Sequence, residues 1–431
     1  MAPFVCGALF NDRSHAQKAE LKVKIAVWHN LPSGGGKRAL YYHVRGLVER
    51  GHELACWSLD TADQSYLPLS EFAPERIVSS EFNHGSRKRF SDRWTPSYTE
   101  ALNRMRAFDE ASRRCAHEIE AGDFDLLFAN SALYYGVPYI MRHVRLKKVL
   151  YLQEPCRSMY EARPVLPWVS GALENLEQAD LFQPRQFMAN YPNLQTLRLQ
   201  AKHEWLNARA CDRLLVNSYF SRESILRAYG VDAKVCYLGV DTNLFRYLRL
   251  ERECFIVGVG SLDSIKGIDL AVKAVALLPE PRPPLVWIAN SGNEAYEKTI
   301  RELARSSGVD LRVRMAVSDA ELVATLNKAA LLVYTSRLEP FGLAPLEANA
   351  CGLPVVGIAE GGIRESIKDG VNGFLVDPDA ESIARAAGRL LADPALARQM
   401  GEQAALDVQV NWNVDGSVDR LEKILLQVAK P

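Results

Sequence analysis

Two glutamates eight residues apart, Glu339 and Glu347, stand in the run TSRLEPFGLAPLEANACG, Thr335 to Gly352. The apolar stretch Leu331 to Thr335 before them reads as a strand, Pro340 and Gly342 interrupt the chain, and Pro345 suits the first turn of a helix. Free amides at the start of such a helix, together with the positive end of its dipole, form an anion site that a diphosphate fits. There Glu339, in the loop, can accept hydrogen bonds from sugar hydroxyls, and Glu347, placed in the first helical turn, can reach a ribose. A pair of solvated surface charges is the simpler reading of two glutamates, but it leaves the surrounding glycines and prolines without a reason.

The Glu339/Glu347 spacing, the core EPFGL and the following run ACGLPVVGIAEGGIRE, Ala350 to Glu365, resemble the retaining nucleotide-sugar glycosyltransferases called glycosyl transferases group 1. The resemblance implies an α/β chain of GT-B architecture, with two Rossmann-like doubly wound domains facing each other across a cleft. It further implies anomeric retention without a metal. Glu339 is then the residue at the donor sugar and Glu347 the one at the ribose, while Lys266 and the amides of Gly342, Leu343 and Ala344, next to Phe341, meet the diphosphate.

Upstream, VGSLDSIKGID, Val259 to Asp269, is similar to the strand-end loop in which the family sets an arginine and a lysine on the donor diphosphate. Lys266 matches the lysine, the other reading being a surface lysine ahead of a helix. Ser261 occupies the arginine position, and Arg337 or Arg364 could replace the missing charge. Asn290 to Asn293 stand where the family has a glycine-proline loop, which leaves the base open between UDP- and GDP-linked donors.

In the first half, LPSGGGKR, Leu31 to Arg38, is similar to the family's glycine loop, with Gly34, Gly35 and Gly36 approaching the donor from the opposite wall. Alone it reads equally as a flexible turn, and it fits neither the dinucleotide nor the P-loop pattern. Gln153, in YLQEPCRSMYE, sits where related enzymes often have a histidine. A glutamine can bind a hydroxyl but cannot serve as a base, which suits a reaction whose leaving phosphate takes the acceptor proton; a loop glutamine without duty is the alternative. Arg157 and Tyr160 either meet the acceptor or pack.

These residues need strand ends to hold them. Lys24 to Trp28, a helix from Lys37 to Arg50 stopped by Gly51, and Glu53 to Trp57 form a βαβ unit. Further strands are expected at Asp125–Ala129, Val149–Leu152, Leu214–Val216 and Val235–Leu238, and the alternation with helices predicts a parallel, doubly wound sheet. Leu238 to Leu250 breaks the series. A second one opens at Phe255–Gly260 and continues through Leu285–Ala289, Leu311–Met315, Leu331–Thr335, Pro354–Ile358 and Gly373–Val376. Helices are expected at Ile268–Leu278, Glu294–Ser306, Ala320–Lys328, Pro345–Ala350 and Val414–Ala429. The expected organisation is a flexible extension over 1–20, an acceptor domain over 21–248, a donor domain over 249–410, and a terminal helix, 411–431, that the resemblance carries back to the first domain.

Composition narrows the class. Lys+Arg 52 balance Asp+Glu 52, so no global positive field exists to gather nucleic acid; the short basic run Arg87 to Arg93 is a solvated loop or a local docking patch. Eight cysteines without a C-x-x-C pair or zinc spacing point to a reducing cytoplasm, and no leader or 18-residue apolar stretch is seen, which leaves peripheral contact at the inner membrane face open. No D-x-D metal-diphosphate signature is read in a strand-end loop, so no metal and no cofactor is expected; the nucleotide sugar is a substrate. The partners are that donor and a glycan or lipid-linked acceptor, with the oligomeric state open. Two rivals share the scaffold: a non-catalytic nucleotide-sugar-binding protein and a nucleotide-sugar epimerase.

Overall fold

The computed structural model describes residues 22–81, 96–160 and 184–430. The expected extension over 1–20 and the basic run Arg87 to Arg93 lie outside the described residues. Two parallel sheets form the chain. The first holds β1 (Lys24–Asn30), β2 (Glu53–Leu59), β3 (Glu75–Val78), β4 (Leu126–Ala132), β5 (Lys147–Tyr151), β6 (Arg213–Val216) and β7 (Lys234–Val235), in the order β3-β2-β1-β4-β5-β6-β7. The second holds β8 (Ile256–Val259), β9 (Leu285–Ala289), β10 (Leu311–Met315), β11 (Leu331–Tyr334), β12 (Val355–Ile358) and β13 (Gly373–Val376), in the order β10-β9-β8-β11-β12-β13. Central strands of such sheets are covered on both faces, so they read as unbroken apolar runs; Ile25 to Trp28 and Leu285 to Ala289 are buried along their whole length.

The strand order reverses between β1 and β4 in the first sheet and between β8 and β11 in the second. Crevices off the carboxyl ends of strands at such reversals are where doubly wound sheets hold ligands. The loops after all four of these strands line the cavities between the domains.

The inner faces of the two sheets share one apolar core that runs from Val27 and Leu40 to Leu332 and Leu346. At the junction Trp412 packs its ring 5.1 Å from Tyr237 and 5.8 Å from Phe341. The chain then crosses: Val240 pairs with Asn413, whose side chain caps the helix Val414–Ala429. That helix packs on helix Gly35–Glu49 and on β4 and β5 of the first domain. A Cβ on Gly46 would lie 2.6 Å from Val418 Cγ2, so this packing needs a glycine there.

Several elements differ from expectation. The first helix begins at Gly35 rather than Lys37, because Gly34 takes a φ of 135° and serves as its N-cap. The expected strand Val235–Leu238 shortens to Lys234–Val235, since the chain leaves the sheet edge for the crossing to the second domain. Edge strand β3 carries exposed Arg76 and Ile77 and so has no buried pattern to read. The helices Pro96–Ala121, Pro184–Arg209, Ala380–Ala392 and Pro394–Asn411 were not anticipated, although Asp393 before Pro394 is a cap followed by a first-turn proline. A D-x-D triplet also exists after a strand, contrary to the reading above: Asp377-Pro378-Asp379 follows β13. Asp379 there caps helix Ala380–Ala392 by accepting from Ser382 N at 2.6 Å, and the triplet lines neither cleft cavity.

Candidate active site

Helix Leu343–Ala350 begins after Gly342, whose φ of 90° would strain any side chain. The loop ahead of it is held by backbone contact. A Cβ on Gly361 would come within 2.3 Å of Glu339 O, and one on Gly362 within 2.0 Å of Pro340 O, so the paired glycines let the β12 loop lie directly against Glu339-Pro340. Ser218 Oγ donates to Pro340 O at 2.6 Å from the first domain.

Glu339 receives two donors on one oxygen, Lys266 Nζ at 2.8 Å and Ser336 Oγ at 2.6 Å. Lys266 closes the short turn Ser264–Lys266 after β8, and Thr335 Oγ1 donates to its carbonyl at 2.8 Å. Burial opposes ionisation of Glu339, but the charges of Lys266 and Arg157 and these hydrogen bonds outweigh it and hold the carboxyl down at about 2. It is an anion at neutral pH.

Glu347 is the fifth residue of its helix, so it sits in the second turn and not, as the sequence reading had it, in the first. Burial raises its carboxyl above the ordinary range; Arg38 opposes that rise and Asp319 adds to it. Arg38 belongs to helix Gly35–Glu49 of the first domain and reaches across the cleft. Its Nη2 donates to Asp319 Oδ1 at 2.6 Å and its Nη1 to Asp319 Oδ2 at 3.2 Å, with Nε 3.7 Å from Glu347 Oε1.

Two adjoining cavities of about 590 and about 500 Å³ open between the domains and share Ser33, Gly34, Gly35, Gln153, Glu154, Lys266 and Glu339. The larger also takes in Ser261, Phe341, Gly342, Leu343, Ala344 and Glu347. The start of helix Gly35–Glu49 meets the start of helix Leu343–Ala350 there, close enough that a Cβ on Gly35 would sit 3.3 Å from Leu343 Cδ1. Two positive dipole ends thus converge on one space, and an anion is what that field favours. Phe341 lines the cavity, but its ring is buried against Tyr237 and Trp412.

The smaller cavity takes in Gly36 and Arg157. A Cβ on Gly36 would meet Gln153 Nε2 at 2.9 Å, which makes the third glycine a seat for that glutamine. Arg157 donates to Glu154 and, at 3.4 Å, to Arg337 O. Tyr160 is not brought to either cavity. It packs edge-on against Tyr229 at 5.3 Å, so the packing alternative describes it.

Arg337 and Arg364, offered as substitutes for the arginine absent at Ser261, also line neither cavity. Arg337 forms a two-pronged pair with Glu360 at 2.8 Å, and Arg364 donates to Gly361 O at 3.0 Å. The cation that does enter the larger cavity beside Lys266 is Arg38, which sequence reasoning passed over inside the quoted run LPSGGGKR. Among the described residues no group of three His, Cys, Asp or Glu side chains is arranged to hold a metal, and no helix is long and apolar enough to cross a membrane.

The family model for glycosyl transferases group 1 matches residues 240–407, and that for glycosyltransferase family 4 matches residues 33–244. The chain is 34% identical over 229 residues to the D-inositol 3-phosphate glycosyltransferase of Acidothermus cellulolyticus, covering 47% of this chain and 51% of that protein. It is 31% identical over 221 residues to the enzyme of the same name from Streptomyces bingchenggensis, covering 46% and 49%. The chain thus spans about half the length of the curated relatives it matches. Among solved structures, sucrose-phosphate synthase of Thermosynechococcus elongatus superposes with a TM-score of 0.70 at 19% identity, over 94% of this chain and 99% of that one. Anabaena HepE in complex with UDP and glucose gives 0.67 at 18%, over 94% and 100%. Residues 240–407 thus carry the glycosyl transferases group 1 domain, and the fold of the chain is GT-B, two Rossmann-like domains about a cleft.

Proposed function

We propose that this chain is a metal-independent, retaining glycosyltransferase that moves a hexose from a UDP- or GDP-linked donor to a hydroxyl of a glycan or glycolipid. The observation that carries the reading is the ionised Glu339, held by Lys266 where two helix starts converge on one cavity. In this reading the diphosphate lies against Lys266 and the amides of Gly342 to Ala344, with Gly34 and Gly35 on the opposite wall. Glu347 accepts from the ribose and Glu339 from the donor sugar. The glycosyl C1–O bond to phosphate breaks as the acceptor oxygen bonds C1 on the same face. The acceptor proton passes to the departing phosphate oxygen, and Gln153, which cannot take a proton, orients the hydroxyl. Developing charge on the leaving group is met by preorganised donors, the arrangement that lowers such barriers most. The relatives named for an inositol phosphate support a polyol hydroxyl as acceptor. A cytoplasmic setting, with peripheral membrane contact for a lipid-linked acceptor, belongs to the same proposal.

The test is thermal shift of the full chain against UDP- and GDP-hexoses, where a ligand at a hundred times its Kd adds about 2.7 kcal/mol of stability. Transfer from the stabilising donor to a glycan acceptor follows, with the product anomer read by NMR. Donor conversion without an acceptor would mark an epimerase, stabilisation without any turnover a binding protein, and an inverted anomer would end the retaining assignment.

A further inference from the structure

The smaller cavity contains a side chain that the donor reading leaves unused. Tyr134, in the loop after β4, has a φ of 71°, in the left-handed region that a bulky residue enters only when its surroundings force it. They do so here. Leu133 N donates to Asn30 O at 2.7 Å, Gln200 Nε2 donates to Tyr134 O at 3.2 Å, and Gly136 N donates to the buried Glu204 at 3.1 Å. The strain does not serve burial: the neighbouring Tyr135 and Tyr139 are buried, whereas Tyr134 stays 49% exposed on the cavity wall. Its ring is fixed by the Arg104 guanidinium, 4.9 Å from the centroid, and by Phe108 at 5.8 Å.

We propose that Tyr134 is an acceptor-specificity residue, a stacking platform for a six-membered polyol ring, either a pyranose or a cyclitol. The inference rests on the glycosyltransferase reading and narrows its acceptor. One face of such a ring is a set of C–H bonds with slight positive charge, which matches the negative face of an aromatic ring. Its hydroxyls project sideways, and Ser131, Gln153 and Glu154 line the same cavity to receive them. Because Lys266 and Glu339 belong to both cavities, a ring seated on Tyr134 shares the enclosure in which the donor sugar reacts. An open-chain polyol has the hydroxyls without the flat face. The strained loop is thus the cost of presenting an aromatic face that the interior would otherwise bury.

The experiment uses saturation-transfer NMR on the full chain with methyl α-glucopyranoside, methyl α-mannopyranoside and myo-inositol, and sorbitol as the open-chain control. Tyr134→Gly relieves the backbone strain but gives up the ring's contacts with Arg104 and Phe108, so its melting temperature and its thermal shift with UDP or GDP are read first, to show that it folds. The ring probes should receive saturation through their C–H face in the wild type and in Tyr134→Phe, and lose about tenfold of it in Tyr134→Gly. With a working donor, Tyr134→Gly should raise the acceptor KM by about tenfold while the thermal shift given by UDP or GDP is unchanged. Equal saturation of sorbitol and the ring probes, or a Tyr134→Gly variant that matches the wild type, would overturn the proposal. Loss of nucleotide binding in the wild type would strike the glycosyltransferase reading instead, and the donor-free NMR result keeps the two failures apart.

Discussion

If Glu347 holds the ribose, its charge depends on Arg38, and removing that arginine should make donor affinity pH-dependent. Arg38 Nε lies 3.7 Å from Glu347 Oε1, with only 9% and 10% of the two side chains exposed. At an effective dielectric of 20 that separation corresponds to about 4 kcal/mol of attraction, nearly all of it lost in Arg38→Gln. Burial already raises the Glu347 carboxyl and Asp319 raises it further, so the loss of the opposing cation moves it up again. A protonated carboxyl has one acceptor fewer for the ribose. UDP-hexose binding by calorimetry should therefore depend on pH less in the wild type than in Arg38→Gln. In Arg38→Gln it should weaken as the pH falls, with a slope approaching about tenfold per unit, one proton's worth. Adding Glu347→Gln to Arg38→Gln should flatten the profile again. Parallel profiles for wild type and Arg38→Gln would refute the assignment of both residues.

Lys266→Met should slow single-turnover transfer by a factor on the order of a hundred, because the leaving diphosphate loses its nearest ammonium. It should also cost about 2 kcal/mol of stability at pH 7, discounted because about a fifth of each side chain of the Lys266–Glu339 pair is exposed. Glu339 titrates at about 2 in the fold against 4.5 ordinarily, so its contribution is complete above pH 4.5 and disappears as the pH falls toward 2. Acid titration of Lys266→Met should accordingly begin to unfold at a higher pH than the wild type, and coincident curves would contradict the pairing. In the proposed reading Lys266 and two helix starts carry the diphosphate, so activity should survive excess EDTA; loss restored by magnesium or manganese would count against this. Glu347→Ala should mainly raise the donor Kd and Glu339→Ala mainly lower kcat, because the ribose contact changes little along the reaction and the sugar's charge changes much; wild-type kinetics for both would remove the site.

The parts of the fold that were legible are those in which local pattern and final environment coincide. β9 and the helix Val414–Ala429 fall where their apolar spacing puts them, since that run and the stripe Val414, Val418, Leu421 and Leu425 are buried. β3 escaped because an edge strand with exposed Arg76 and Ile77 has no inward face to pattern. The helix Pro184–Arg209 escaped for a related reason. It contains Pro192, and its Glu204 is a buried carboxyl satisfied by Tyr229, Gln200 and the Gly136 amide, so its interior side is partly polar. Periodicity of apolar residues cannot register a helix whose buried face includes a charge-bearing group.

The site divides along the same line, between what one segment specifies and what two segments specify together. Glu339, Lys266 and the glycines at Gly361 and Gly362 were readable because they lie in short runs of the second domain that carry the family resemblance. The glycines let one loop touch the carbonyls of Glu339 and Pro340. Arg38 and Asp319 are 281 residues apart, and neither segment alone states that they meet. Glu365 shows how far the division goes. It closes the glycine motif of the second domain, yet its carboxylate accepts from the Tyr219 and Phe220 amides at 3.0 Å and from Tyr237 Oη at 2.8 Å, all in the first domain. It caps helix Tyr219–Tyr229 alongside Ser218, which itself donates to Pro340 O. The motif that positions Glu339 is therefore also the contact that joins the domains. A change of domain angle would therefore have to break these hydrogen bonds or carry the Glu339 loop along with the first domain.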